Sequence, residues 1–228
     1  VMKQWPSQRF LLMSHVKELI SQNAEKLLNV WPEAPLGIHS AGLKSRDSAH
    51  PIVFGGIQSM IKNANIFGHR DLIFIDECHL VSDNDSSMYL SFIALMRLIN
   101  PNIRVIGMSA TPYRMGMGLL TQGGLFTDIV YDMTGLEGFN KLLTEGYLAP
   151  LIPLRTRTEL DVSNVSVQIG EFVSTQLQGA VDKAEITFKA LKELVHAGKD
   201  RKSWLIFAAG IEHAEHIAEQ LGAFGVDC

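Results

Sequence analysis

The chain has 228 residues, 46% of them apolar and 19% charged, which is enough for one large hydrophobic core or two smaller ones. A net charge of −4, with 12 basic against 13 acidic residues up to residue 150 and 8 against 11 beyond it, excludes a protein that holds nucleic acid by bulk charge and leaves only local contacts. No apolar run approaches the roughly 20 residues that span a bilayer, no secretory signal opens the chain, and Cys78 and Cys228 have neither disulfide-framework nor metal-site spacing, so a cytoplasmic protein carrying thiols is expected, with no membrane partner.

Arg9-Phe10-Leu11-Leu12-Met13-Ser14 is an apolar run of strand length, and Val16, Leu19, Ile20, Ala24, Leu27 and Leu28 follow at helical spacing. The order repeats with Pro51-Ile52-Val53-Phe54 before a helix from about Ile57. It repeats again with Asp71 to Ile75 before a helix over Met88 to Ile99, then with a strand over Ile103 to Met108 and a loop marked by Pro112, Gly116 and Gly118. Apolar strands separated by helices predict an open α/β fold with a parallel sheet covered on both faces. Scattered basic residues, Lys17, Lys44, Arg46, Lys62, Arg70 and Arg114, are the candidates for meeting phosphate.

Beyond residue 125 the rhythm changes. Ile129-Val130-Tyr131 reads as a further strand, Leu136 to Glu145 as a short helix, and Gly146 to Pro150 as a break. Ile186 to His196 then predicts a helix, Trp204-Leu205-Ile206-Phe207 a buried strand, and Ile211 to Leu221 another helix. The expected division is a first domain over 1–150 and the start of a second α/β domain over 151–228.

The chemistry concentrates at Asp76-Glu77-Cys78-His79, directly after four apolar residues. In parallel sheets, ligands sit beyond the carboxyl ends of strands, so this acidic pair faces a crevice. A hydrated magnesium ion needs few hard oxygen ligands, which suits Asp76, and the neighbouring Glu77 can then orient an attacking water. The bland alternative is that the pair caps the next segment and His79 is a surface histidine. One helix-plus-strand unit further on, Ser109-Ala110-Thr111-Pro112 closes the next strand, so its hydroxyls are expected beside the carboxylates or His79. Alone, Ser109 and Thr111 would only begin a turn before Pro112. Ser14 is expected to N-cap a helix whose start, with Lys17 nearby, can hold a phosphate; the bland alternative is a capped amphipathic helix and nothing more. Gly55-Gly56 reads as a strand-to-helix turn, and His213 and His216 as part of a solvated polar face with Glu212, Glu215 and Glu219.

Together, Asp76-Glu77-Cys78-His79 and Ser109-Ala110-Thr111 resemble the Walker B and coupling motifs of superfamily 2 helicases of the DEAD/DEAH-box type, with cysteine in place of the usual alanine. Ser14-His15-Val16-Lys17-Glu18-Leu19 is similar to that family's first DNA-contacting motif, and Gly55-Gly56-Ile57-Gln58-Ser59 to the next. Thr111-Pro112-Tyr113-Arg114, Gly146-Tyr147-Leu148 and Arg201-Lys202-Ser203-Trp204 are similar to RadD-like bacterial and phage DNA-repair helicases. The resemblance implies a RecA-like motor domain followed by the start of a second. It implies ATP and Mg2+ as cofactors, with Asp76 holding the ion through water and Asp76, Glu77 and His79 catalytic. It further implies coupling by Ser109 and Thr111, and nucleic-acid contacts from Ser14, His15, Lys17, Gly56, Gln58 and Ser59. DNA, single-stranded or branched, is the expected partner, with RNA an alternative and a single-stranded-DNA-binding protein or recombinase implied by the family.

No GxxxxGK[ST] phosphate loop occurs in residues 1–228, and the family's arginine finger is also missing. The expectation is therefore a part of a DNA helicase or translocase that does not hydrolyse ATP by itself. The alternatives are a non-hydrolysing DNA-binding module of the same fold and the motor subunit of a restriction endonuclease.

Overall fold

The structure, a computed structural model, describes residues 2–81, 87–114, 118–122, 124–168 and 171–228. Gly116, expected in the loop after Pro112, lies outside these residues, as does the side chain of Arg114. The chain forms two compact units, Val1–Asn140 and Lys141–Cys228.

The first unit is built on six strands: β1 (Phe10–Ser14), β2 (Leu36–Ser40), β3 (Ser45–Arg46), β4 (Ile52–Gly56), β5 (Leu72–Asp76) and β6 (Arg104–Met108), in the spatial order β3-β2-β4-β1-β5-β6. All neighbours are parallel except β2 and β3, which pair antiparallel. The expected α/β fold is present, with one antiparallel edge strand added.

Period-two alternation divides the strands between two cores. Leu11, Met13, Val53, Ile73 and Ile75 face one side, where they pack with Met60, Phe67, Phe92 and Met96. Those residues come from α2 (Ile57–Met60), the 3-10 segment Ile61–Phe67 and α3 (Met88–Ile99). Phe10, Leu12, Ile52, Phe54 and Leu72 face the other side, against Ile20 and Ala24 of α1 (Lys17–Val30). Ser87 caps α3 by accepting a hydrogen bond from the Leu90 N–H at 3.2 Å, which fixes the helix start where the periodicity places it.

Several local expectations are corrected. Gly55 and Gly56 are not a turn but the last two residues of β4, paired with Met13 and Ser14 of β1. A Cβ on Gly55 would lie 2.5 Å from Met60 Sδ and 2.9 Å from the His39 carbonyl, so the close approach of β2 and α2 requires glycine there. The helix from Ile57 is one α turn followed by 3-10 geometry, broken at Asn63. Ser14 is not the N-cap of α1. Val16 holds that position without a side-chain bond, and the Ser14 hydroxyl, fully buried, accepts from the Val16 N–H at 3.3 Å. Ile129-Val130-Tyr131 forms no strand, and Val130 and Tyr131 are exposed.

Arg70 cannot meet phosphate, because it is fully buried. Its guanidinium donates to the carbonyls of Phe67 at 2.9 Å, His50 at 2.8 Å, Pro51 at 3.2 Å, Phe10 at 3.4 Å and also Ser48. It ties the loop before β4 to the start of β1. Burial, then the charge of Arg9, pull its pKa down to about 10 despite Asp71, so it stays charged at neutral pH. Two short strands, β7 (Tyr113–Arg114) and β8 (Gly118–Leu119), pair antiparallel after β6. Helix α4 covers Leu136–Thr144.

The second unit has the two-residue strands β9 (Val167–Gln168) and β10 (Glu171–Phe172) and the helices α5 (Ser174–Val181), α6 (Ala184–Gly198) and α7 (Ile211–Ala223). Its core joins Leu191 of α6 to Ile217 and Leu221 of α7, with Trp204, Ile206 and Val226 against them. Trp204 to Phe207 is not the buried strand expected. No strand pairs with it among the described residues, so only alternate side chains are covered, and Leu205 and Phe207 stand exposed. Helix α5, which has no strong apolar periodicity, precedes α6. Asp182, the residue after α5, lies 3.0 Å from Nδ1 of His216 of α7, whose imidazole stays more than half exposed on the solvated polar face expected for it. Among the described residues no helix is long and apolar enough to cross a membrane.

Candidate functional site

Parallel pairing sets the carboxyl ends of β2, β4, β1, β5 and β6 along one sheet edge, and the residues singled out in the sequence fall there in two groups.

The first group surrounds the start of α1. Ser14 is in register with Gly56, the Gln58 side-chain amide donates to the His15 carbonyl at 3.2 Å, and the Ser59 hydroxyl accepts from the Ala41 N–H at 3.0 Å. The aliphatic part of Lys17 lies against Gly42, and its ammonium is exposed, 3.5 Å from Glu18. Among the described residues no side chain caps the first turn of α1, which leaves its N–H groups available to an anion, with Lys17 and Gln58 in solvent beside them. Ser14 and Gly56 are buried and shape this end from within.

The second group closes β5 and β6. Asp76 is the last residue of β5, and its alternation with Ile75 turns it toward the α1 face. Glu77 follows in the left-handed region, φ 50° and ψ 48°, unusual for a residue with a Cβ. Such strain concentrates at functional positions. Asp76 Oδ1 accepts from the Glu77 N–H at 3.1 Å. His79 Nδ1 lies 2.8 Å from Ser109 Oγ and 3.3 Å from Glu77 Oε2.

The tautomer of His79 follows from donor counting. The Ser109 hydroxyl has one proton, which it donates to the Thr111 carbonyl at 3.0 Å, while its oxygen accepts from the Thr111 N–H at 3.0 Å. With that arrangement the hydroxyl oxygen accepts from His79, and the Glu77 carboxylate 3.3 Å away, which also accepts, favours the tautomer with the hydrogen on Nδ1. That N–H also faces the Glu77 carboxylate. Glu77, His79, Ser109 and Thr111 thus form one chain of contacts between the ends of adjacent strands. Burial, and then the Asp76 charge, push the phenol of Tyr89 above its usual range.

One residue of the site was missed in the sequence. Asn23 of α1 donates from Nδ2 to Asp76 Oδ2 at 2.8 Å. Its signal was an amide on the inward stripe of an amphipathic helix, between Ile20 and Ala24. Cys78 is buried in the core behind the site, and no disulfide joins it to Cys228. Among the described residues no group of three or more His, Cys, Asp or Glu side chains is arranged to hold a metal ion directly.

A search of curated proteins finds no match to the chain. A solved structure, the UvsW helicase from bacteriophage T4, aligns at 19% identity with a TM-score of 0.39, covering 48% of this chain and 40% of its own, so the chain spans about two fifths of that helicase. Residues 1–114, which carry β1 to β6 and both groups above, match the family described as "Type III restriction enzyme, res subunit". The chain belongs to this family and, with it, to the superfamily 2 helicases.

Proposed function

We propose that these residues are the water-activating and nucleic-acid-gripping part of an ATP-dependent DNA helicase or translocase. The observation that carries this reading is the hydrogen bond between His79 Nδ1 and Ser109 Oγ at 2.8 Å, beside Asp76 and Glu77, at the carboxyl ends of two parallel strands. An acid poised over water, with a neighbouring relay that senses its state, is what coupling hydrolysis to movement requires.

Asp76 fits a hydrated magnesium ion by its donor chemistry. It is a hard carboxylate, and each oxygen keeps a lone pair beyond its bond to Asn23 or to the Glu77 N–H. When bound, Mg2+ would neutralise and orient the nucleotide's phosphates. Glu77, about 40% exposed, accepts the proton of the attacking water at its carboxylate. His79 holds that carboxylate on one side and Ser109 on the other, so a change at Glu77 reaches Thr111. The first turn of α1, with Lys17 and Gln58, holds the strand by its phosphates and positions it without reading sequence.

A phosphate loop is absent from residues 1–228, so hydrolysis is assigned to the polypeptide in which such a loop accompanies them. Among the described residues the outer edge of β6 is unpaired within the sheet, and a strand added there would deliver its loop beside Ser109. Work in DNA repair or recombination, in the cytoplasm or nucleoid, rests on the resemblance of Thr111 to Arg114 and Arg201 to Trp204 to RadD-like proteins. A single-stranded-DNA-binding protein or recombinase as partner rests on the same resemblance. A second reading, the motor of a restriction endonuclease, is favoured by the matched family's description. The test is ATP hydrolysis by the intact polypeptide with and without single-stranded DNA. Stimulated turnover supports the proposal, and absence of turnover in the presence of a phosphate loop leaves only a DNA-binding module.

A further inference from the structure

Helix α1 turns Ile20, Ala24 and Leu27 toward the sheet, and Asn23 falls on the same stripe, three residues after Ile20 and four before Leu27. An amide there lowers helix propensity and displaces an apolar side chain from the packing surface. Its partner explains the choice. Asp76, 53 residues away, receives the Nδ2 hydrogen at 2.8 Å, and because an ionised carboxylate only accepts, the amide's NH2 group must be the end that faces it. The same bond leaves Asp76 held at both oxygens, by Asn23 at Oδ2 and by the Glu77 N–H at Oδ1.

Helix α1 therefore touches both groups of the site. Its first turn, at Lys17, is the exposed end proposed above to hold phosphate, and Asn23 lies six residues on, roughly 9 Å along a rigid axis. We infer that Asn23 is a positioning residue that ties the nucleic-acid end of α1 to the Asp76 carboxylate, so that a strand gripped at Lys17 sets the orientation in which Asp76 meets a divalent cation. A shift or rotation of α1 on binding acts on Asp76 through a single hydrogen bond, without passing through the sheet. This rests on the proposed function above.

The test uses the whole 228-residue chain and two probes, a single-stranded oligonucleotide and Mg2+ alone, and follows the side-chain carboxyl carbon resonance of Asp76. Both probes should move that resonance in the native chain, and the oligonucleotide should lower the Mg2+ concentration at half-change. Asn23→Ala removes the amide while favouring the helix, so folding is kept. It should raise that concentration roughly tenfold, the usual cost of losing an outer-shell partner of a metal ligand. It should also abolish the oligonucleotide's effect on Asp76, while the backbone signals of Lys17 and Gln58 still respond. Asn23→Asp, which sets a second carboxylate against Asp76, should likewise lose the oligonucleotide's effect. Equal responses of Asp76 in the native and Asn23→Ala chains would overturn the inference. No response of Asp76 to either probe in the native chain would overturn the proposed function, and the inference with it.

Discussion

His79 Nδ1 stands 2.8 Å from Ser109 Oγ, so two sequence motifs 30 residues apart share one hydrogen bond between neighbouring strand ends. The Ser109 hydroxyl is in turn tied to both backbone groups of Thr111. Replacing Ser109 and Thr111 together by alanine removes the relay and leaves Asp76 and Glu77 untouched. In the intact polypeptide the double variant should retain most DNA-stimulated ATP hydrolysis while strand displacement or translocation falls by about tenfold or more. Parallel assays of phosphate release and strand displacement check this, and equal loss of both would remove the relay from its coupling role.

Glu77→Gln keeps the shape and the contact with His79 but cannot take a proton. Nucleotide binding should stay near that of the native protein, while turnover drops by about 10²–10⁴, the range for losing a general base. Equilibrium binding of a fluorescent nucleotide beside steady-state hydrolysis separates the two. Normal turnover would reassign water activation to another residue.

Much of this site was legible because a parallel sheet puts strand ends in one row. Once Leu72 to Ile75 and Ile103 to Met108 are read as strands, the two motifs must end side by side, and Asp76 pairs with Met108, the residue before Ser109. Helix α3 was legible from Met88 to Ile99 because Ser87 caps it and its apolar stripe is continuous. Strand β2 was not, since Gly37 and His39 interrupt its apolar pattern and its stability comes from β4 beside it. Gly55 and Gly56 misled for the opposite reason: glycine usually signals a turn, whereas here it allows close packing inside a strand. The Asn23 to Asp76 contact depends on where α1 crosses the sheet, which no local pattern encodes.

Arg70 gives a stability prediction. Its guanidinium satisfies five carbonyls from Phe10, Ser48, His50, Pro51 and Phe67 in a dry environment. Arg70→Met preserves bulk but strands those acceptors, and should destabilise the first unit by about 3 kcal/mol or more. Arg70→Lys, with three donors on one atom, should recover only part of the loss. Urea unfolding monitored by circular dichroism measures both, and a loss below about 1 kcal/mol for Arg70→Met would mean that water substitutes for the clamp.

The His216 to Asp182 pair makes the second unit sensitive to pH. Its hydrogen bond to Asp182, then the charge of that carboxylate, then Glu219 and Glu212, raise the His216 pKa above the ordinary 6.5. The contribution is therefore complete below 6.5 and disappears as pH rises through the folded value. Asp182→Asn should lower the thermal midpoint of the second unit at about pH 6 and have no effect at about pH 9, where the imidazole is neutral in both proteins. A pH-independent difference would assign the contact to packing alone.

Glu77 also says something about what this fold gives up. A side chain held at φ 50° suits glycine or asparagine better than glutamate, by about 1–2 kcal/mol. Variants selected only for resistance to heat should therefore accumulate glycine or asparagine at position 77, sturdier proteins with a dead acid. A glutamate in so uncomfortable a backbone is what the water-activating role proposed for it would require, at a cost in durability.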